Sequence, residues 1–196
     1  MAKIITADNH SKREVIIREA AALFRRRGFR AASMRELADK LGVEAASLYN
    51  HIDSKNELLQ SICIKTGHEF IHMQQDILLA GGPSHDLLEK IIRAHIRKML
   101  AAYDEVYVAN HEWKHLPEPA LGEFLTLRRQ YEQQLARLIE TGIRSGELLP
   151  VQPQVAVLTI LSALRGIEFW HRNNKNISPQ LLENEMLSLL LQGIKK

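Results

Sequence analysis

The sequence predicts an all-α fold, with a short-helix N-terminal domain followed by a domain of longer helices. Three observations carry this expectation. Apolar residues recur at three- and four-residue spacing throughout, and the aromatic and β-branched alternation of strands is absent. Capping residues, glycines and prolines recur at helix-length intervals. The break Gly81-Gly82-Pro83 separates shorter helices from longer ones.

The elements follow in order. Residues 11–27 form the first helix: Ser11 is placed to cap it, with Glu14 at capping-box spacing, and Gly28 stops it. Ile16, Ala20, Leu23 and Phe24 line one face. Ser33 and Glu36 repeat the capping-box spacing before a short second helix with Leu37, Ala38 and Leu41 inward, ended by Gly42. A third short helix is expected from Glu44 to His51, and a long fourth from Asp53 or Ser54 to Leu79. Beyond the break, helices are expected at 84–103, 105–116, 118–145, 153–173 and 178–193, about nine in all, punctuated by Gly146, Pro150, Pro153 and Pro179. The domain expectation is residues 1–55 and 56–196, with no internal repeat or low-complexity segment.

Composition narrows the class. An apolar fraction of 45% and a charged fraction of 25% over 196 residues suit a packed globular chain and argue against wholesale disorder. Residues 1–10 lack an apolar run of signal-peptide length, and no apolar run is long enough to span a bilayer. The single cysteine, Cys63, cannot close an intramolecular disulfide or hold zinc alone, and reads as a small buried hydrophobe. Together these features favour a cytoplasmic protein with no membrane partner. The formal charge of +3 is unevenly placed: residues 1–60 hold 11 Lys and Arg against 8 Asp and Glu, and the rest is balanced at 15 of each. An excess of that sign in one segment suits a polyanion partner.

The sharpest local pattern is Ser33–Ile52: a short helix, a turn at Gly42-Val43 and a second short helix, the makings of a helix-turn-helix. The turn needs a residue that tolerates positive φ, and Val43 can fill the angle between the helices. Leu48 faces inward, leaving Glu44, Ala45, Ser47, Tyr49, Asn50 and His51 on or near the outward face, which suits the major groove of double-stranded DNA. Ala21-Ala22-Leu23-Phe24, Gly28-Phe29, Ser33-Met34-Arg35-Glu36-Leu37-Ala38, Leu41-Gly42-Val43, Ser47-Leu48-Tyr49, His51 and Ser54-Lys55-Asn56-Glu57-Leu58-Leu59 recur in an order that resembles the TetR family of bacterial repressors. Asn50 and Ile52 depart from that pattern, which more often has an aromatic or basic residue and a phenylalanine there. The resemblance implies that Ser33, Tyr49, His51 and Lys55 hold phosphates, with Arg35 or the helix start beside it, and that Ala45, Ala46 and Asn50 meet bases. Packing for Tyr49 and a solvated surface for Lys55 are the alternatives to DNA contact. The basic run Arg25-Arg26-Arg27 with Arg30 is read as solvated and favoured by the helix dipole.

The remainder reads as dimer and sensor. Val155, Leu158, Thr159, Ser162, Ala163 and Gly166, then Leu182, Met186, Leu189 and Leu190, make helical stripes suited to a homodimeric four-helix interface. Tyr103, Tyr107, Trp113, Phe124, Arg128, Tyr131, Phe169 and Trp170 are candidate lining of an effector pocket, although each aromatic is also an ordinary core residue. Residues 112–116 with 127–132 look similar to repressors that respond to fatty acyl-CoA thioesters. This implies a hydrophobic anion as effector, met by Arg128 or Arg129. His68/His72 and His111/His115 both match HExxH, so Zn²⁺ or Ni²⁺ is an alternative ligand, with His171 and Glu168 as further donors. No third-ligand pattern of a zinc protease follows either pair. The expected function is thus a ligand-responsive DNA-binding repressor needing no cofactor and performing no catalysis; a metal-responsive regulator and a metalloenzyme are the alternatives.

Overall fold

The computed structural model describes residues 9–173 and 177–192, with side chains described for 12–170 and 177–192. Among the described residues there are ten α-helices, one 3₁₀ turn and no strand. The helices are α1 Asn9–Arg27, α2 Met34–Leu41, α3 Ala45–Leu48, α4 Lys55–Leu79, α5 Ser84–Ala101, α6 Tyr103–His111, α7 Ala120–Arg144, α8 Pro153–Arg165, α9 Ile167–Asn173 and α10 Pro179–Gln192. The all-α expectation stands, with three local corrections. The helix expected over 105–116 is α6, which ends at His111 before a 3₁₀ turn at Trp113–His115. The helix expected over 153–173 breaks at Gly166, whose N–H reaches back to Ala163 O as well as Leu164 O, tightening the last turn. The third helix ends at Leu48, not His51, although the next turn keeps helix-like bonds from His51 N and Ile52 N to Leu48 O. The expected Ser11 cap and the His171 donor lie outside the described side chains.

The chain folds as two compact units. The first gathers the chain up to Gly67 with Tyr103–Leu125; the second comprises His68–Ala102 and the chain from Thr126 onward. In the first unit, α1, α2, α3 and the start of α4 share one core with α6 and the start of α7. Phe24, Leu37, Leu48, Ile52, Leu58 and Ile62 are each at most 1% exposed, and Val108, Leu116 and Phe124 belong to the same cluster. The reading head is therefore built on a larger core than residues 1–55 supply. Cys63 is fully buried there, and burial pushes its thiol up to about 12, as expected of a packing residue.

In the second unit, Leu88, Ile91, Ile92, Ile96 and Met99 of α5 are buried at helical spacing, with Leu135 and Ile139 of α7 and Ile160 and Leu164 of α8 also in the core. Gly142 sits within α7 because a Cβ there would meet Leu148 Cδ1 at 2.7 Å and Ser84 Cβ at 2.9 Å. Helix α10 is held to α5 through Glu183, 3% exposed: Arg97 donates to it from Nε at 2.8 Å and Nη2 at 2.9 Å, and Arg93 from Nη1 at 2.5 Å. Burial raises the Glu183 pKa, but hydrogen bonds from Arg97 and Arg93 outweigh it and leave the carboxyl below its usual value.

Candidate DNA interface and effector seat

The head is set by its turns. Ser33 N donates to Glu36 Oε2 at 3.0 Å and Glu36 N donates to Ser33 Oγ at 3.2 Å, a complete capping box at the start of α2. These Ser33 bonds, with help from Arg27 and Arg26, hold the Glu36 carboxyl below its usual value. At the other end Gly42 takes φ +69°, Val43 N reaches Ala38 O at 3.1 Å and Gly42 N reaches Asp39 O at 3.2 Å. This left-handed stop lets the chain turn sharply into α3. Leu48 and Ile52, each 1% exposed, then anchor α3 and the following turn from inside. What remains outside is Ala46, Ser47, Asn50 and Tyr49, the last 53% exposed, with Ser33 and Arg35 at the start of α2. Ala45 and His51 are half-buried, and Ala45 packs partly on the core.

Lys55 is held otherwise than a free surface cation. Its Nζ donates to the carbonyls of Phe29 at 2.9 Å, Arg30 at 3.3 Å and Ala32 at 2.9 Å, and lies 4.6 Å from the centre of the Phe29 ring. The ammonium thus uses three donors to pin the segment between α1 and α2. The basic run at the end of α1 is also engaged: Arg25 pairs with Asp104 and lies over the Tyr103 ring, and Arg27 pairs with Glu36 at 3.4 Å.

In the second unit a polar cluster joins α4, α5 and α7. His95 Nδ1 and Tyr131 Oη lie 2.9 Å apart, the Phe70 ring stands 4.5 Å from the His95 ring, and Gln74 Nε2 donates to Tyr131 O at 3.3 Å. Burial, with Arg165 adding to it, pushes His95 down to about 3, while burial pushes the Tyr131 phenol up. Both groups are therefore uncharged at neutral pH. Tyr131 is among the sequence's pocket candidates; its partners His95, Phe70 and Gln74 are not. The available signal was a histidine three and four positions after Ile92 and Ile91, on the buried stripe of α5.

The other pocket candidates divide. Phe124 and Trp113 pack in the first unit's core, and Tyr103 is 8% exposed beneath Arg25. Tyr107 stacks on His111 at 4.3 Å. Arg128 and Trp170 are half-buried in the second unit, and burial, then Arg165, lowers the Arg128 pKa. Phe169 corrects the expectation: at 70% exposed it lies open like Val155 and Leu158, whose face it shares by helical period, and not inside a pocket of its own chain. The histidine expectation also gains no support. Among the described residues no three of His, Cys, Asp and Glu converge. The rings of His68 and His72 lie 5.9 Å apart, and His115 stacks on Phe29 and meets Glu112 at 3.5 Å.

Two protein-family models match the chain. Residues 16–62 match "Bacterial regulatory proteins, tetR family", and residues 81–194, more than half of the chain, match "Tetracyclin repressor-like, C-terminal domain". The chain belongs to the TetR family. Among its relatives is the HTH-type transcriptional repressor KstR2 of Rhodococcus jostii (strain RHA1), 24% identical over 96% of this chain and 94% of that one. The ketosteroid transcriptional regulator KstR2 of Mycobacterium tuberculosis superposes with a TM-score of 0.89 at 22% identity, covering 99% of this chain and 100% of that one. AibR, solved with isovaleryl coenzyme A and operator DNA, superposes at 0.79 with 22% identity over 90% and 96% of the two chains. These TetR likenesses establish a helix-turn-helix regulator fold over the whole length. Among the described residues no helix is long and apolar enough to cross a membrane.

Proposed function

We propose that this TetR-family chain is a homodimeric, cytoplasmic repressor whose two heads read a near-palindromic operator and which a small molecule releases. The observation that carries the reading is the head itself: a capped α2, a left-handed stop at Gly42 and an inward Leu48 leave Ala46, Tyr49 and Asn50 to face a groove. Asn50 supplies an amide that pairs bidentately with adenine. Ser33, Arg35, Tyr49 and His51 are the proposed phosphate contacts, with Ala45 and Ala46 beside the bases. The outward apolar face of Val155, Leu158 and Phe169, with Leu189 of α10 at 76% exposed, is the proposed dimer surface.

The effector seat we assign to the cluster of Phe70, Gln74, His95 and Tyr131, inside the region matched to the family's C-terminal domain from residue 81 onward and the end of α4. Arg128 and Arg165 place positive charge near it, which suits an acyl-CoA or another hydrophobic anion; isovaleryl coenzyme A is the molecule solved with AibR. The ligand shifts the DNA-binding equilibrium only by its different affinity for the two forms. The test is anisotropy titration of a duplex enriched by the purified chain, with and without acyl-CoA thioesters of graded length. Binding weakens at least about tenfold with the matching thioester; an affinity indifferent to every thioester contradicts the acyl-CoA assignment.

A further inference from the structure

We infer that the cluster of Phe70, Gln74, His95 and Tyr131 is built for an uncharged group that both donates and accepts a hydrogen bond, a hydroxyl above all. The inference rests on the proposed effector seat and goes beyond it by naming the chemistry of the buried end of the ligand.

Gln74 has no exposed surface; its Nε2 donates to Tyr131 O, and its Oε1 is buried without a partner. Gln134, one turn further along α7 than Tyr131, also has a buried Oε1 without a partner. Buried amide oxygens left without a donor are costly and rare. These two sit on the helices that bring Phe70 and Tyr131 to the His95 ring. The His95–Tyr131 pair has the opposite surplus. If the phenol donates to Nδ1, the imidazole keeps Nε2–H; if Nδ1–H donates, the phenol keeps its O–H. In either tautomer one donor is spare.

A hydroxyl answers both sides at once, accepting from the His–Tyr pair and donating to an amide oxygen. A ketone answers only the first. A carboxylate brings no donor for an amide oxygen that already lacks one, so a ligand's anionic part belongs elsewhere, toward Arg128 and Arg165.

The experiment compares 1-octanol, 2-octanone and octanoate on the full chain. Affinities are read by calorimetry and the His95 imidazole resonances by NMR. We expect octanol to bind about tenfold tighter than either of the others, the worth of one well-made hydrogen bond, with the His95 resonances moving. Gln134→Met combined with Gln74→Met should erase that preference, and Gln134→Met alone, which removes an orphaned oxygen without touching the Gln74–Tyr131 bond, should raise the melting temperature. Equal affinities, or octanoate binding tightest, with His95 resonances still moving, overturns the hydroxyl inference and leaves the seat standing. His95 resonances unmoved by all three overturns the seat and the inference together.

Discussion

At the residue scale, two side chains carry roles that spacing alone does not show. Lys55 stands where the family resemblance implies a phosphate contact, yet its ammonium is spent on the carbonyls of Phe29, Arg30 and Ala32. Lys55→Met should therefore lower stability by about 1–3 kcal/mol, the scale of hydrogen bonds from a charged group, and leave the salt dependence of DNA binding nearly unchanged. Removing one phosphate-neutralising cation from each subunit would instead shallow the log–log slope by about 1.8 per dimer, the result to look for with Arg35→Gln. Asn50→Ala should cost about 1–3 kcal/mol of operator affinity per half-site and relax preference at one base pair in each. His95 makes a pH prediction. Its folded pKa is depressed to about 3 from an ordinary 6.5, so between those values the unfolded chain binds more protons. Its contribution is complete above pH 6.5 and is lost as pH falls toward 3, by at most about 1.4 kcal/mol per pH unit. Denaturation across pH 7 to 4 should show a shallower loss in His95→Phe than in the parent chain. Position in a motif put Ser33, Tyr49 and Asn50 on the outer face, and all three are exposed. The bonds that hold Lys55 and His95 span 23 to 36 residues, and no local spacing encodes them.

At the element scale, helix ends were legible because capping chemistry is local. Ser33 with Glu36, and Gly42, do what their types and spacing imply. The break at Gly166 was not legible, because its φ of −57° is ordinary helix and the glycine at that position had an equally good reading as a small contact residue. Gly142 gives the sharpest test of packing. Alanine there gains about 1 kcal/mol of helix propensity, but its Cβ meets Leu148 and the short, backbone-bound Ser84 side chain below 3.0 Å. Overpacking of that kind costs about 1–3 kcal/mol, so Gly142→Ala should come out net destabilising in urea, whereas a purely helical accounting gives the opposite sign.

At the scale of the whole molecule, two-part organisation was legible from helix length. The boundary was not, because α6 and the start of α7 complete the head's core from more than 40 residues away in sequence. The outward stripe of α8 was legible as a period: Val155, Leu158, Thr159, Ser162 and Gly166 are all exposed. If that stripe pairs two chains, Leu158→Glu with Phe169→Glu should give a monomer by light scattering and weaken operator binding by at least about 100-fold, because the two heads no longer bind as one unit. Operator recognition rests on two heads reading one duplex. Selection of bound sequences from random double-stranded DNA by the purified chain measures this directly. A two-fold-symmetric site with half-sites about one helical turn, or a multiple of it, apart is the expected result; an unenriched pool, or a single asymmetric half-site bound by one chain, contradicts paired recognition.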